Sequence, residues 1–366
     1  MKGQTVRVLC ITDNSDRPEA ETFIGLKQKG VDIAVMCPSS APHYTRLQEA
    51  GVPVLDVKLK SKFSPKAIRM IRDILMDRQI QILHLFNNNA ISNGLFASRN
   101  LPIKIIAYRG IVSNISFLNP ASWLTHLHPR VDHIICVAEK VREYFLNLRF
   151  LWLRVPPAKP VTIHKGHSLE WYQNEPADLS QFGIPRGAFT VCCTANYRPR
   201  KGIHVLIRAA GYLPKDADIH FLLVGEMKSA RIMRLIRKSP MKEKIHLTGY
   251  RKDAPEIAAA CNVAVLPALR REGLPKVIIE AMAYGVAPIV TNSGGSPELI
   301  EDGKSGIIVP PGSAEAIAEQ ITRLYKNPLL CKEIGANARK RIADSFRIED
   351  TIERTYALYE KVLGKT

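Results

Sequence analysis

The chain has 366 residues, 46% of them hydrophobic, and carries 52 Lys/Arg against 34 Asp/Glu, a formal net charge of +18. That length is too great for one ordinary core and suits two domains, while no apolar run reaches the ~18 residues that a spanning helix needs. The charge excess is uneven, with 23 basic against 12 acidic residues in 1–166 and 29 against 22 in 167–366, a balance that predicts an anionic partner such as a membrane surface, nucleic acid or anionic substrate.

The first half alternates strand-like and helix-like runs, as a doubly wound α/β unit does. Val6–Thr12 reads as a strand, Glu19–Lys29 as a helix closed by Gly30, and Asp32–Cys37 and Val52–Val57 as strands. A helix starts at Ser64 and Pro65 and runs to about Asp77, with Ile68, Ile71 and Leu75 on one face. Ile82–Phe86, Ile103–Tyr108 and Val131–Ala138 are further strands, a helix carries Arg142 and Phe145, and Val161–His164 closes the half. The polar stretch Lys165–Asp178, with Gly166 and Pro176, suits a linker.

The second half restarts the pattern at Thr190–Thr194. Helix His204–Tyr212, strand His220–Val224, a helix near Ala230–Arg237, strand Ile245–Leu247, helix Ala254–Ala260 and strands Val263–Pro267 and Ala287–Val290 come next, and helices fill Ala314–Tyr325, Pro328–Ala343 and Ile348–Leu363. The seven cysteines form no C-x-x-C pair and read as buried reduced thiols. His126 and His128 lack a partner cluster at ligand spacing, so no metal is expected.

Residues 271–312, REGLPKVIIEAMAYGVAPIVTNSGGSPELIEDGKSGIIVPPG, are the most informative segment. Pro275 suits a first helical position and Gly285 a C-terminal cap, giving a helix of roughly Pro275 to Tyr284. Val277, Ile278, Ala281 and Met282 supply its buried face, so Glu280 is a carboxylate inside an apolar helix, costly unless it is paired or meets a ligand. Glu272 precedes the helix, near free N–H groups and the positive end of the dipole. Each carboxylate could accept bonds from the hydroxyls of a ligand, or Glu272 caps the helix and Glu280 is solvated or salt-bridged. Downstream, Ser296 suits an N-cap with Pro297 at the first helical position and Glu298 on the dipole.

The ordered run of EGLP, EAMAYG, GGSPE and DGKSGIIVPPG resembles the nucleotide-sugar signature of retaining glycosyltransferases of family four. The resemblance implies the GT-B fold, an α/β architecture of two Rossmann-like domains facing across a cleft, here 1–166 and 167–345, with a helix from about 346 to 366 returning to the first. It covers nearly the whole chain, closely after residue 190 and loosely before it. The activity implied is retaining transfer of a hexose-like sugar from a nucleoside diphosphate sugar, without cofactor or metal. Glu280 would hold ribose and Glu272 the sugar hydroxyls, with Gly273, Leu274 and Pro275 also at the donor. In CCTANYRPRKG, Lys201 matches the family's diphosphate-binding Lys, while Asn196 stands nearest the place of the family's Arg, so Arg198 or Arg200 would substitute. Gly225 and Tyr250 match the segments beside the donor and its base.

The first half departs further from the family. Asp13-Asn14-Ser15-Asp16 stands where many relatives have a Gly-Gly loop; Asp13 and Asn14 either bind acceptor hydroxyls or form a turn and helix cap. Arg109 occupies the place of a family His. A guanidinium cannot serve as a base, but it could bind an anionic acceptor or the leaving phosphate, or form an ordinary salt bridge.

The basic run Lys58, Lys60, Lys62, Lys66, Arg69, Arg72 and Arg78, with the aromatic and basic segment Phe145–Arg154, suggests peripheral contact with an anionic membrane, or else a solvated basic face. Nothing resembles a nucleic-acid platform. The N-terminal run MKGQTVRVLCITDN has no leader shape, so a cytoplasmic location, peripheral at the inner face of the cytoplasmic membrane, is expected. The acceptor implied is a glycolipid or polysaccharide, as in lipopolysaccharide or related envelope synthesis. The alternative is a non-catalytic polyanion- or membrane-binding protein on a degenerate transferase scaffold.

Overall fold

The computed structural model describes residues 5–112, 114–227 and 229–365; the first four residues of the N-terminal run lie outside it. The chain divides into two compact units, 1–166 with Ile348–Thr366, and His167–Arg347.

In the first unit, β1 (Arg7–Ile11), α1 (Arg17–Gln28), β2 (Asp32–Cys37), α2 (Tyr44–Glu49) and β3 (Val54–Asp56) precede α3 (Pro65–Asp77), β4 (Ile82–Leu85), α4 (Asn88–Ala97) and β5 (Lys104–Arg109). Then come α5 (Pro120–Trp123), β6 (His133–Cys136), α6 (Glu139–Leu146), the two-stranded ribbon β7 (Arg149–Phe150) and β8 (Leu153–Arg154), and β9 (Pro160–Thr162). The parallel sheet runs β3-β2-β1-β4-β5-β6-β9. Its central strands are apolar at nearly every position because helices cover both faces.

α3 begins where the sequence places it: the Ser64 hydroxyl accepts from the Ala67 N–H at 3.3 Å and Pro65 takes the first turn. Its buried stripe is Ala67, Ile71 and Leu75, with Ile68 only half-buried. α2 and α4 were not foreseen. α4 is rich in Asn, Ser and Gly, weak helix formers, and it forms because Asn87 caps it, accepting from the Ala90 N–H at 2.9 Å, and seven of its ten residues are buried.

The second unit contains β10 (Phe189–Thr194), α7 (Ile203–Ala209), β11 (Ile219–Val224), α8 (Ala230–Lys238), β12 (Ile245–Gly249), α9 (Ala254–Ala259), β13 (Val263–Leu266), α10 (Lys276–Ala283), β14 (Ala287–Thr291), β15 (Ile307–Val309), α11 (Ala314–Lys326) and α12 (Pro328–Ser345). Its parallel sheet runs β12-β11-β10-β13-β14-β15. Chain order reverses between β10 and β13, and ligands of open α/β sheets bind beyond the carboxyl ends of the strands at such a point.

The last helix, α13 (Ile348–Val362), belongs to the first unit and packs on α1. Tyr359 is fully buried there, with its hydroxyl 2.8 Å from His84 Nδ1 on β4. The two units divide within the stretch expected to be a linker, between Gly166 and His167; residues 173–176 of it are exposed, and its first part is packed. Lys165 pairs with Asp16 at 2.9 Å in the first unit, and in the second His167 and Tyr172 are buried and share a 2.5 Å hydrogen bond. All seven cysteines are free and buried. No helix among the described residues is long and apolar enough to cross a membrane.

Candidate active site

At the reversal point of the second sheet, the loop after β10 and the loop after β13 bring three charges together. Lys201 Nζ lies 3.0 Å from Glu272 Oε2, and Arg200 Nη1 lies 3.4 Å from Glu272 Oε1. Arg200 also reaches the Arg271 carbonyl at 3.3 Å, and Leu269 N–H donates to the Arg200 carbonyl at 2.8 Å, stitching the loops together. Glu272 is 5% exposed. A carboxylate so buried requires its cations.

Glu272 is not the helix cap. α10 starts at Lys276, Pro275 is its N-cap residue, and no side chain caps it, leaving N–H groups of its first turn without a side-chain acceptor. Gly273 and Pro275 are buried and Leu274 half-buried in the connection. Behind it, Gly294 has φ +58°, and a Cβ there would fall 2.0 Å from the Glu272 carbonyl oxygen. Only glycine lets the Gly-Gly turn lie against the Glu272 backbone, which its neighbour Gly295 bonds through N–H at 3.3 Å. Ser296 is the first residue of a short 3₁₀ turn rather than its cap, and its hydroxyl and that of Ser293 are buried without hydrogen-bond partners among the described residues.

Glu280 is 8% exposed and pairs with Lys276, one turn before it, at 3.1 Å. The salt-bridged alternative therefore describes Glu280, with Lys276 half exposed.

Asn196 has a different task from the Arg it replaces: its side-chain oxygen accepts from the Glu226 N–H at 3.1 Å. Glu226 Oε1 in turn accepts from the Tyr250 N–H at 3.2 Å. Gly225, at φ +121°, lies so close to Ala195 that a Cβ would meet its carbonyl oxygen at 2.2 Å. Tyr250 is 65% exposed, and Arg198 is exposed with no contact to Glu272. Asn196 and Glu226 thus link the loop after β10 to the ends of β11 and β12, a connection that the sequence did not single out.

In the first unit the predicted residues do not form one cluster. Asp16, not Asp13 or Asn14, caps α1, accepting from the Glu19 N–H at 3.1 Å. Asn14 is exposed and its N–H donates to the Thr12 hydroxyl at 3.4 Å. Asp13 Oδ1 and Asn87 Nδ2, just beyond the ends of neighbouring strands β1 and β4, are both buried. Burial raises the Asp13 carboxyl above its ordinary range, opposed by Lys58 and Asn87. Arg109 ends β5 and is folded inward at 8% exposure, with Nε donating to the Ile111 carbonyl at 3.1 Å. Burial lowers its pKa. Among the described residues no group of three His, Cys, Asp or Glu is placed to hold a metal.

Two family models match the chain, "Glycosyltransferase Family 4" over residues 20–171 and "Glycosyl transferases group 1" over 174–341. N-acetyl-alpha-D-glucosaminyl L-malate synthase of Bacillus anthracis is 27% identical over 184 residues, 50% of this chain and 48% of that protein, so the match spans about half of each. The UDP-Gal:alpha-D-GlcNAc-diphosphoundecaprenol alpha-1,3-galactosyltransferase of Escherichia coli is 23% identical over 97% of this chain and 95% of its own. Among solved structures, Anabaena Alr3699/HepE in complex with UDP-glucose superimposes with a TM-score of 0.77 over 98% of this chain and 100% of that one, at 20% identity. The fold is GT-B, two Rossmann-like units with parallel sheets. The chain belongs to glycosyltransferase family 4 and is a glycosyltransferase. The non-catalytic alternative gives way to the enzyme.

Proposed function

We propose that the protein transfers a hexose-like sugar from a nucleoside diphosphate sugar to a glycolipid or polysaccharide acceptor of the cell envelope, with retention at the anomeric carbon. The observation that carries this reading is the Lys201–Glu272–Arg200 cluster at the carboxyl ends of β10 and β13. Lys201 and Arg200 turn from Glu272 to the donor diphosphate, charges matched to a bidentate or point contact. Glu272, released, accepts from sugar hydroxyls, and Glu280 from ribose. The segments at Gly225 and Tyr250 lie by the base, and Asp13, Asn14 and Arg109 serve the acceptor. The acceptor attacks on the face from which the diphosphate leaves, and the departing phosphate oxygen takes its proton. The protein then contributes positioning and charge stabilisation.

Support for the donor class comes from the UDP-glucose complex of the Anabaena structure and from the Escherichia coli relative, whose name pairs a UDP-Gal donor with a diphosphoundecaprenol-linked acceptor. Such an acceptor is anionic and membrane-borne, which fits the basic first half; exposed Lys58, Lys60, Lys62 and Lys66 would contact the leaflet, and Arg72 is already committed to the Ala97 and Arg99 carbonyls. The test is a transfer assay with nucleotide sugars and a lipid-diphosphate acceptor. Glu272→Ala should lower turnover by about 10²-fold or more, and excess chelator should leave the wild-type rate unchanged, because Lys201 and Arg200 supply the positive charge. Unimpaired transfer by Glu272→Ala, or loss on chelation restored by magnesium or manganese, would contradict it.

A further inference from the structure

The ribbon β7–β8 carries three locally unfavourable features at once. Its two-residue turn is Leu151-Trp152, and these residues are 70% and 80% exposed, the latter the most exposed aromatic among the described residues. Leu151 has φ +52°, a conformation that two-residue hairpin turns require and that Gly, Asn or Asp normally supplies; a leucine there is strained. The paired residues Arg149 and Arg154 stand directly opposite each other, a like-charge pair that weakens a ribbon. Neither has an ion-pair partner among the described residues, and the sequence has no Asp or Glu between Glu143 and Glu170. Residues alternate faces along a strand, so Phe150 and Leu153 share one side while the two arginines share the other.

One environment answers both the exposed tip and the opposed arginines, and so accounts for a strained turn that presents them: an interface that is apolar at the tip and anionic just above it. We infer that residues 149–154 are a membrane wedge, with Leu151 and Trp152 entering the acyl boundary and Arg149 and Arg154 engaging lipid phosphates. The occupant is an anionic lipid bilayer. A second copy packed ribbon to ribbon would satisfy the apolar tip but set four arginines together, with no Asp or Glu between Glu143 and Glu170 to answer them. This inference rests on the peripheral membrane contact proposed above and specifies its anchor: the lysines give long-range attraction that salt screens, and the wedge gives depth and retention at higher salt.

The experiment is partition of the full chain onto vesicles of phosphatidylglycerol and phosphatidylcholine, against pure phosphatidylcholine, with tryptophan emission monitored. The wild type should bind anionic vesicles with a blue shift. Trp152→Ala should bind about tenfold or more weakly and lose the shift. Leu151→Gly should also bind more weakly, with melting temperature unchanged or raised because the strained φ is relieved, a combination that a merely structural residue would not give. Equal partition of wild type and Trp152→Ala would overturn the wedge and leave the lysine contact standing. Absence of wild-type binding would overturn both while leaving the sugar-transfer reading to its own assay. Concentration-dependent dimerisation abolished by Trp152→Ala, without a vesicle-induced shift, would make the hairpin a self-association surface and overturn the inference.

Discussion

Glu272 and Lys201 form a pair whose value for stability and for function differ. Glu272 has 6% side-chain exposure and Lys201 22%, so removal of the lysine leaves a buried carboxylate with only Arg200, at 3.4 Å, to answer it. Breaking such a pair costs about 3–5 kcal/mol when no compensation exists, and Arg200 should reduce that. Lys201→Ala should therefore lower the melting temperature, and Lys201→Ala with Glu272→Gln should recover part of the loss without recovering transfer. Thermal unfolding and turnover of the two single variants and the double variant check this. Full additivity of the stability effects would mean the pair is not coupled.

The two carboxylates were legible in the sequence from their spacing and flanking turns, and Lys201 from its Lys-Gly context. Their mutual contact was not, since it joins positions 71 residues apart through two loops that only the parallel sheet brings together. Glu280 was expected to be solvated or salt-bridged with no partner named, although Lys276 stands at the i,i+4 spacing of the pair that forms.

Among the elements, strands with continuous apolar runs and helices with Ser, Asp or Pro at their start were readable to within a few residues. Unforeseen were the short elements α2, α5, β7, β8 and β15, and also α4, whose formation depends on its Asn87 cap and on burial along most of its length. The packing at the start of 165–178 was hidden because its polar composition says nothing of His167 and Tyr172 pairing in the core.

α13 closes the first unit through Tyr359 and His84, and that closure should depend on pH. Burial pulls His84 down to about 3, and His126, also buried beside Arg109, down to about 3, both from an ordinary 6.5. A histidine depressed in the folded state stays neutral while the unfolded chain takes the proton, so stability present above pH 6.5 is lost as pH falls towards 3. Buried Glu19, pushed up to about 7, acts in the opposite sense, losing stability as pH rises from 4.5 through 7. Between 4.5 and 6.5 the effects oppose; below 4.5 the histidines are joined by carboxylates that their partners hold low, among them Glu139, Asp178, Asp253 and Glu301. Melting temperature should drop most steeply below about pH 4.5, and His84→Asn should flatten that slope. An unchanged slope would place the acid sensitivity elsewhere.

At the scale of the whole molecule, the second unit repeats the doubly wound order of the first, and the two differ in the residues that their strands lead into. After β10 and β13 come cations and a buried glutamate; after β1 and β4 come Asp13 and Asn87, with Lys58 acting on Asp13. The first set suits a diphosphate and a sugar, the second hydroxyls and an acceptor of mixed polarity. The net charge of +18 adds an attraction for anionic substrates that ionic strength should weaken.

The central claim is that the second unit holds a nucleoside diphosphate through Lys201. Calorimetric titration of the full chain with uridine, guanosine and cytidine diphosphates tests it most directly, with Lys201→Ala measured in parallel below its melting transition. The account predicts one saturable site that prefers one base and is weakened about tenfold or more by Lys201→Ala. Weak binding of all three nucleotides with steep salt dependence and no base preference, or a base-selective site indifferent to Lys201→Ala, would contradict it.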